Sequence, residues 1–153
     1  MSNDAPPPSA SLRIPANGIG LNVVVAGEGP PVLLVHGFPD CHDVWRHQIP
    51  ALVAAGYRVI APDQVGFGKS EKPTGYQFSF AALAQNTRAL LASLGLERSA
   101  VVGHSMGGML AVRYALAYPE HVDKLVLVNP IGLEDYSVLI PYRSVEAWYN
   151  DEL

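Results

Sequence analysis

The residues best suited to chemistry are Gly103-His104-Ser105-Met106-Gly107, which have the pattern Gly-x-Ser-x-Gly. A β-branched run ending at Val102 precedes them, and a helical run beginning at Met109 follows. A sharp turn between strand and helix projects a serine hydroxyl above the sheet, and flanking glycines permit the close backbone approach that this turn requires. The pattern therefore predicts that Ser105 is a nucleophile.

A second candidate segment, His36-Gly37-Phe38-Pro39, follows the apolar run Val32-Leu33-Leu34-Val35. An uninterrupted apolar run of this kind is typical of a strand buried on both faces of a parallel sheet. The carboxyl ends of parallel strands meet at one edge of the sheet, where function in open α/β folds collects. We therefore expect this loop to lie at the same edge as Ser105.

The elements that position these segments alternate along the chain. Period-two and apolar runs predict strands around residues 12–14, 21–26, 32–35, 57–61, 99–102 and 125–128. Apolar residues at three- and four-residue spacing predict helices over residues 44–53, 80–94 and 107–118. This alternation predicts an α/β fold with a mainly parallel sheet.

Composition limits the possible partners and compartments. Charged residues make up 16% of the 153 residues, below the usual share of about 25%. This is less charge than a small independent domain needs to cover its surface, so the composition indicates part of a larger fold. A net charge of −4 offers no basic face for nucleic acid. The single cysteine, Cys41, excludes an internal disulfide and a Cys-x-x-Cys metal site. Without a signal peptide or membrane span, a cytoplasmic protein without a membrane partner is expected.

Four motifs in order resemble the α/β-hydrolase family: the His36–Pro39 loop, residues 62–70, the segment Gly103–Gly108, and residues 125–130. The resemblance extends from about Leu12 onward. It implies an α/β-hydrolase fold, a mainly parallel sheet with helices on both faces, truncated after about the sixth strand. Residues 1–10 would be a flexible tail, residues 11–131 the amino-terminal part of the core domain, and residues 132–153 the start of an incomplete cap.

The same resemblance implies a role for each motif residue. Ser105 would be the nucleophile of a serine hydrolase, and the backbone N–H groups of Phe38 and Met106 would form the oxyanion hole. The supporting residues of the loop and the elbow would be His36, Gly37, Gly103, His104 and Gly107. The substrate would be a small carboxylic ester or related acyl compound, and neither a cofactor nor a metal is implied.

Other activities remain open within this family. The His-Gly-Phe-Pro loop resembles that of epoxide hydrolases, but those enzymes and the haloalkane dehalogenases carry an aspartate where this chain has Ser105. The loop that begins at Asp63 resembles that of carbon–carbon bond hydrolases, and the Ser-Met-Gly-Gly segment that of cofactor-free haloperoxidases or perhydrolases. A non-catalytic binding module with the same fold is the alternative from another class.

A general base and its acid partner are missing from the predicted site. The family takes both from loops after later strands. The histidines of this chain are better interpreted as structural, including His42, His47 and His121, and Asp63 is expected to fix the loop after its strand. We therefore expect an amino-terminal part of a serine hydrolase, inactive by itself and able to self-associate through an exposed sheet edge.

Overall fold

The computed structural model describes residues 10–132, so the expected tail up to residue 9 and the expected cap segment 133–153 lie outside the described residues. The described strands are β1 (Ala10–Ala16), β2 (Ile19–Ala26), β3 (Pro31–Val35), β4 (Arg58–Pro62), β5 (Ser99–His104) and β6 (Val122–Val128). The described α-helices are α1 (Gln48–Ala54), α2 (Phe80–Ser93) and α3 (Met106–Ala117). Short 3-10 turns cover His42–Trp45 and Pro119–His121.

The strands form one sheet in the order β1-β2-β4-β3-β5-β6. Strands β4, β3, β5 and β6 run parallel to one another, whereas β2 is antiparallel to both β1 and β4. The predicted α/β fold with a mainly parallel sheet is therefore confirmed. Ala10 already belongs to β1, so the core begins at least one residue before the predicted boundary at residue 11.

The β1–β2 hairpin turns at Asn17 and Gly18, as the sequence predicts. Both residues have positive φ, 52° and 74°, the conformation that a tight two-residue hairpin turn requires and that Asn-Gly readily adopts. The turn places Ala16 opposite Ile19 and continues the antiparallel pairing to Ala10 and Val25.

Two apolar layers pack on opposite faces of the sheet, because successive strand residues point to opposite sides. In β3, Leu33 and Val35 belong to the layer under α2 and α3, whereas Val32 and Leu34 belong to the layer with Trp45. Helices therefore cover both faces, as expected. No helix in the described part of the chain is long and apolar enough to cross a membrane.

The helix predicted over residues 44–53 is divided in the structure. A 3-10 turn ends at Trp45, and α1 begins only at Gln48. Pro50 lies in the first turn of α1 and has no N–H to donate to a carbonyl four residues earlier, so a continuous helix cannot pass through it. The apolar residues on both pieces still pack on one face of the sheet, where Trp45 and Ile49 are buried.

Candidate active site

Ser105 occupies the turn between β5 and α3, with φ 55° and ψ −122°. A non-glycine residue with positive φ is strained and persists only where the surrounding structure holds it. Here the Ser105 N–H donates to the Val128 carbonyl at 3.2 Å, and its carbonyl accepts from Gly108 N–H at 2.9 Å and Ile131 N–H at 3.3 Å. The backbone on both sides of the serine is therefore fixed by neighbouring elements.

The glycines of the elbow are required by close backbone packing. A Cβ on Gly103 would collide with the Gly107 carbonyl, and a Cβ on Gly107 would collide with the carbonyls of Val35 and His36. Neither glycine has a positive φ, so the requirement is space and not backbone conformation. Because Gly107 has no Cβ, the start of α3 packs directly against the end of β3.

The loop after β3 lies against the elbow. The side chain of Phe38 is 66% exposed, and its ring meets the Phe67 ring edge to face at 5.9 Å. The N–H groups of Phe38 and Met106 donate no backbone hydrogen bond within residues 10–132. Met106 is the first residue of α3, where N–H groups have no partner inside the helix and the helix dipole favours negative charge.

His36 fixes the direction of the loop. Its Nε2 accepts the Gln64 N–H at 2.9 Å, so the ring proton resides on Nδ1, which donates to the Gly37 carbonyl at 2.7 Å. The Asp40 N–H donates to the same carbonyl at 3.1 Å. In a trans peptide the carbonyl and the following N–H point in opposite directions, so holding the Gly37 carbonyl also orients the Phe38 N–H. Burial lowers the pKa of His36 and keeps the ring neutral.

Asp63 joins three segments beneath the site. Its Oδ1 accepts the His42 backbone N–H at 2.8 Å and lies 2.7 Å from His42 Nδ1, while its Oδ2 accepts from Asn22 Nδ2 and Lys69 N–H. Burial by itself raises the pKa of Asp63, but the hydrogen bonds from His42 and Lys69 outweigh it, so the pKa lies below its usual value. Cys41 and His42 also have atoms near the carboxylate, yet these four bonds already occupy both oxygens. The geometry supports a structural role for Asp63.

The histidines in the described part of the chain have other partners or face solvent. Besides His36 and His42, His121 Nδ1 bonds the Glu97 carbonyl, and His47 is exposed. His104 packs edge to face on Trp45 at 6.3 Å, and its buried Nδ1 has no hydrogen-bond partner among these residues. Within residues 10–132 no side chain hydrogen-bonds to Ser105 Oγ.

An apolar recess of about 230 Å³ adjoins Met106 and opens between the β4–α2 loop and the start of α2. Sequence reasoning missed this recess, which is lined by Phe67, Phe78, Ser79, Phe80, Leu83 and Met106. The aromatic residues Tyr76, Phe78 and Phe80 at alternate positions were the available signal. It also missed Asn22 as a partner of Asp63, because nothing local shows that β2 lies beside β4.

A family model for the alpha/beta hydrolase fold matches residues 30–148. The chain is 41% identical over 139 residues to the AB hydrolase superfamily protein YfhM of Bacillus subtilis, covering 87% of this chain and 49% of that protein. It is 42% identical over 131 residues to bifunctional epoxide hydrolase 2 of Sus scrofa, covering 85% of this chain and 24% of that protein. The chain thus spans about half or less of the length of these relatives.

Two solved structures are similar to this chain in fold and sequence. A probable hydrolytic enzyme from Pseudomonas aeruginosa PAO1 is 52% identical with a TM-score of 0.75, over 94% of this chain and 48% of that one. A mutant meta-cleavage product hydrolase from Pseudomonas fluorescens IP01 is 36% identical with a TM-score of 0.77, over 91% of this chain and 54% of that one.

Proposed function

Because the chain belongs to the α/β-hydrolase family, we propose that it supplies the nucleophile and oxyanion donors of a serine hydrolase. The substrate is a carboxylic ester or a related acyl compound, and the intermediate is acyl-Ser105. The supporting observation is the strained elbow, which holds Ser105 with φ 55° beside the uncommitted N–H groups of Phe38 and Met106. Oriented donors next to a nucleophile are what a developing oxyanion requires.

The proposed reaction has two halves. Ser105 Oγ attacks the carbonyl carbon and gives its proton to a general base, while the carbonyl oxygen becomes an oxyanion that accepts from the Phe38 and Met106 N–H groups. The tetrahedral intermediate collapses, the C–O bond to the alcohol oxygen breaks, and the protonated base gives its proton to that oxygen, so the alcohol leaves and the base is free again. Water then attacks acyl-Ser105 with the same base taking its proton, which releases the acid and restores the hydroxyl.

The base and its acid partner are assigned to residues outside 10–132 or to another chain, because no side chain in this range hydrogen-bonds to Ser105 Oγ. An unassisted serine hydroxyl is a weak nucleophile at neutral pH. The 153-residue chain by itself is therefore expected to lack turnover, and the proposed activity requires that this base and acid be supplied.

The similarity to a protein named epoxide hydrolase is not a reason to propose epoxide hydrolysis for this chain. A carboxylate nucleophile opens an epoxide to give an ester, whose carbonyl water can attack. A serine hydroxyl would instead give an ether, which has no carbonyl for the oxyanion donors to activate. Ser105 therefore favours acyl transfer over epoxide opening. For the choice of reaction, the type of nucleophile is more informative than the 42% identity over 131 residues.

Carbon–carbon bond hydrolysis of a vinylogous diketone is the second candidate. It is favoured by the similarity to the meta-cleavage product hydrolase and by the Asp-Gln-Val-Gly-Phe-Gly-Lys-Ser loop beginning at Asp63. This reaction also begins at a carbonyl, but its leaving group is a carbon that must be protonated. A full-length protein that cleaves such diketones much faster than nitrophenyl esters supports this candidate.

The test uses a fluorophosphonate probe and nitrophenyl esters on the full-length protein. An activated serine reacts rapidly with the probe, so the label should map to Ser105, and Ser105→Ala should lower kcat by at least about 1000-fold. Ser93→Ala, a change at an exposed serine of α2, is the matched control and should leave activity unchanged. Retained ester hydrolysis in Ser105→Ala contradicts the nucleophile assignment, and an unlabelled, inactive protein supports a non-catalytic binding module.

A further inference from the structure

Half of the residues that line the recess beside Met106 are aromatic. Phe78 is 53% exposed, yet its ring is held in place by an edge-to-face contact with Tyr76 at 4.8 Å. Its edge also rests over Gly66, where a Cβ would lie 2.9 Å from Phe78 Cζ. The half-exposed Phe78 thus lines the recess in contact with Tyr76, and the buried Leu83 lines it too.

The side chains that line the recess carry no charge. The lining contains no ionisable side chain, and its one polar side chain, Ser79, already accepts the Ala82 N–H at 3.1 Å as the cap of α2. A carboxylate or an ammonium group placed against these side chains would lose part of its hydration without gaining an ionic partner. The recess therefore selects an uncharged, apolar group.

Position and size identify which part of a ligand it holds. Met106 lines the recess, and its N–H is one of the two oxyanion donors of the proposed function. The part of the substrate in the recess is thus attached close to the reacting carbonyl. A dry apolar cavity of about 150 Å³ accepts a benzene ring, and whole ligands occupy about 300–1,000 Å³. A volume of about 230 Å³ therefore fits one ring with a short linker.

Resting on the serine hydrolase proposed above, we infer that this recess is the acyl-binding site, and that the acyl group is uncharged, apolar and close in size to a phenylacetyl group. The acyl group stays attached to Ser105 through both half-reactions, whereas the alcohol leaves after the first. Because Met106 both lines the recess and provides an oxyanion donor, the recess lies where the acyl group would remain bound.

The test compares nitrophenyl phenylacetate with nitrophenyl acetate in the full-length protein, since the two esters share a leaving group and differ only in the acyl part. Wild type should prefer phenylacetate in kcat/KM, and Phe78→Ala should lower this preference about tenfold with little change for acetate. Tyr57→Ala removes a ring of similar exposure before the amino end of β4, so the preference should persist there.

Three outcomes overturn the inference: an unchanged preference in Phe78→Ala, faster hydrolysis of the charged hemisuccinate ester than of phenylacetate, or an effect of Phe78→Ala that follows the alcohol part when the acyl part is held constant. Absence of any Ser105-dependent hydrolysis contradicts the proposed function instead.

The recess is then tested by ligand-observed NMR of toluene binding to the Ser105→Ala variant. Adding Phe78→Asp to that variant should abolish binding. Toluene binding that Phe78→Asp leaves unchanged also overturns the inference.

Discussion

Gly37 lies directly against Ser105: a Cβ at residue 37 would be 2.9 Å from Ser105 Cβ and 3.3 Å from Ser105 Oγ. The same Cβ would lie 3.0 Å from the His104 carbonyl. The loop after β3 and the elbow after β5 therefore meet at Gly37 and Ser105, and Phe38 is the residue that follows this contact.

Gly37→Ala should push this loop away from the nucleophile. Displacement of catalytic groups by about 1 Å can lower a rate by about 100-fold, so we expect a loss of this order in kcat for nitrophenyl esters in the full-length protein. Gly20→Ala is the control, because its Cβ would meet only the flexible end of Arg13. Unchanged kcat in Gly37→Ala contradicts the proximity that the structure shows.

Phe38 is expected to act through its backbone and not through its ring. Phe38→Ala keeps the N–H and removes an exposed ring, so its effect on kcat should be small, whereas Phe38→Pro removes the donor. Loss of one oxyanion donor lowers kcat by about 100- to 1000-fold. Steady-state kinetics with one ester measure both variants, and circular dichroism checks that the proline variant folds. Equal kcat in the two variants counts against Phe38 as a donor.

His36 should make stability depend on pH. Its pKa is lowered by burial from the ordinary value of 6.5, so the unfolded state binds a proton more readily than the folded state. Its contribution is fully present above pH 6.5 and is lost as the pH falls through the lower folded-state pKa. Urea denaturation at pH 7.5 and 5.5 should show this decline in wild type.

His36→Phe should remove that part of the pH dependence and leave the Gln64 N–H without its acceptor, at a cost of about 1–3 kcal/mol. The exposed residue His47 provides the control His47→Gln, which should change neither quantity. A wild-type pH slope that persists in His36→Phe would falsify this prediction.

Asp63→Asn should destabilise the protein by about 2–4 kcal/mol, because an amide cannot replace a carboxylate that accepts hydrogen bonds on both oxygens. The pKa of Asp63 lies below its ordinary value of 3.8, so its stabilisation is present above pH 3.8 and is lost as the pH falls through the folded-state pKa. Asp43→Asn, at an exposed carboxylate, should have little effect. Urea denaturation midpoints at pH 7 measure both effects. Similar midpoints for the two variants would contradict a structural role for Asp63.

The 153-residue chain expressed by itself should self-associate through β6, which is one edge of the described sheet. Val126 and Val128 on this strand are 47% and 40% exposed, and an unpaired edge with apolar side chains favours pairing with another chain. Size-exclusion chromatography should show oligomers that Val126→Lys reduces and Tyr57→Lys does not. A monodisperse wild-type monomer contradicts this expectation.

Local signals predicted much of the fold and part of the site. Asn17-Gly18 indicated the hairpin, the apolar spacing from Phe80 indicated α2, and the small residues around Ser105 indicated the elbow, because each feature is determined by neighbours in sequence. The pairing of β2 with β4, and with it the bond from Asn22 to Asp63, depends on strand order. That order is set by contacts between residues 41 positions apart, which no local pattern contains.

Because glycine backbone contacts hold the elbow, the side chain at position 105 can change without altering the turn. Backbone contacts at Gly37, Gly103 and Gly107 fix the turn, and no side chain within residues 10–132 hydrogen-bonds to the serine hydroxyl. A carboxylate could therefore replace the hydroxyl on the same backbone and direct attack from a carbonyl to an epoxide carbon. This explains how proteins named for different reactions can match this stretch at 42% and 36% identity. In such a scaffold a substitution at position 105 can change the attacking atom and leave the backbone contacts of the three glycines in place.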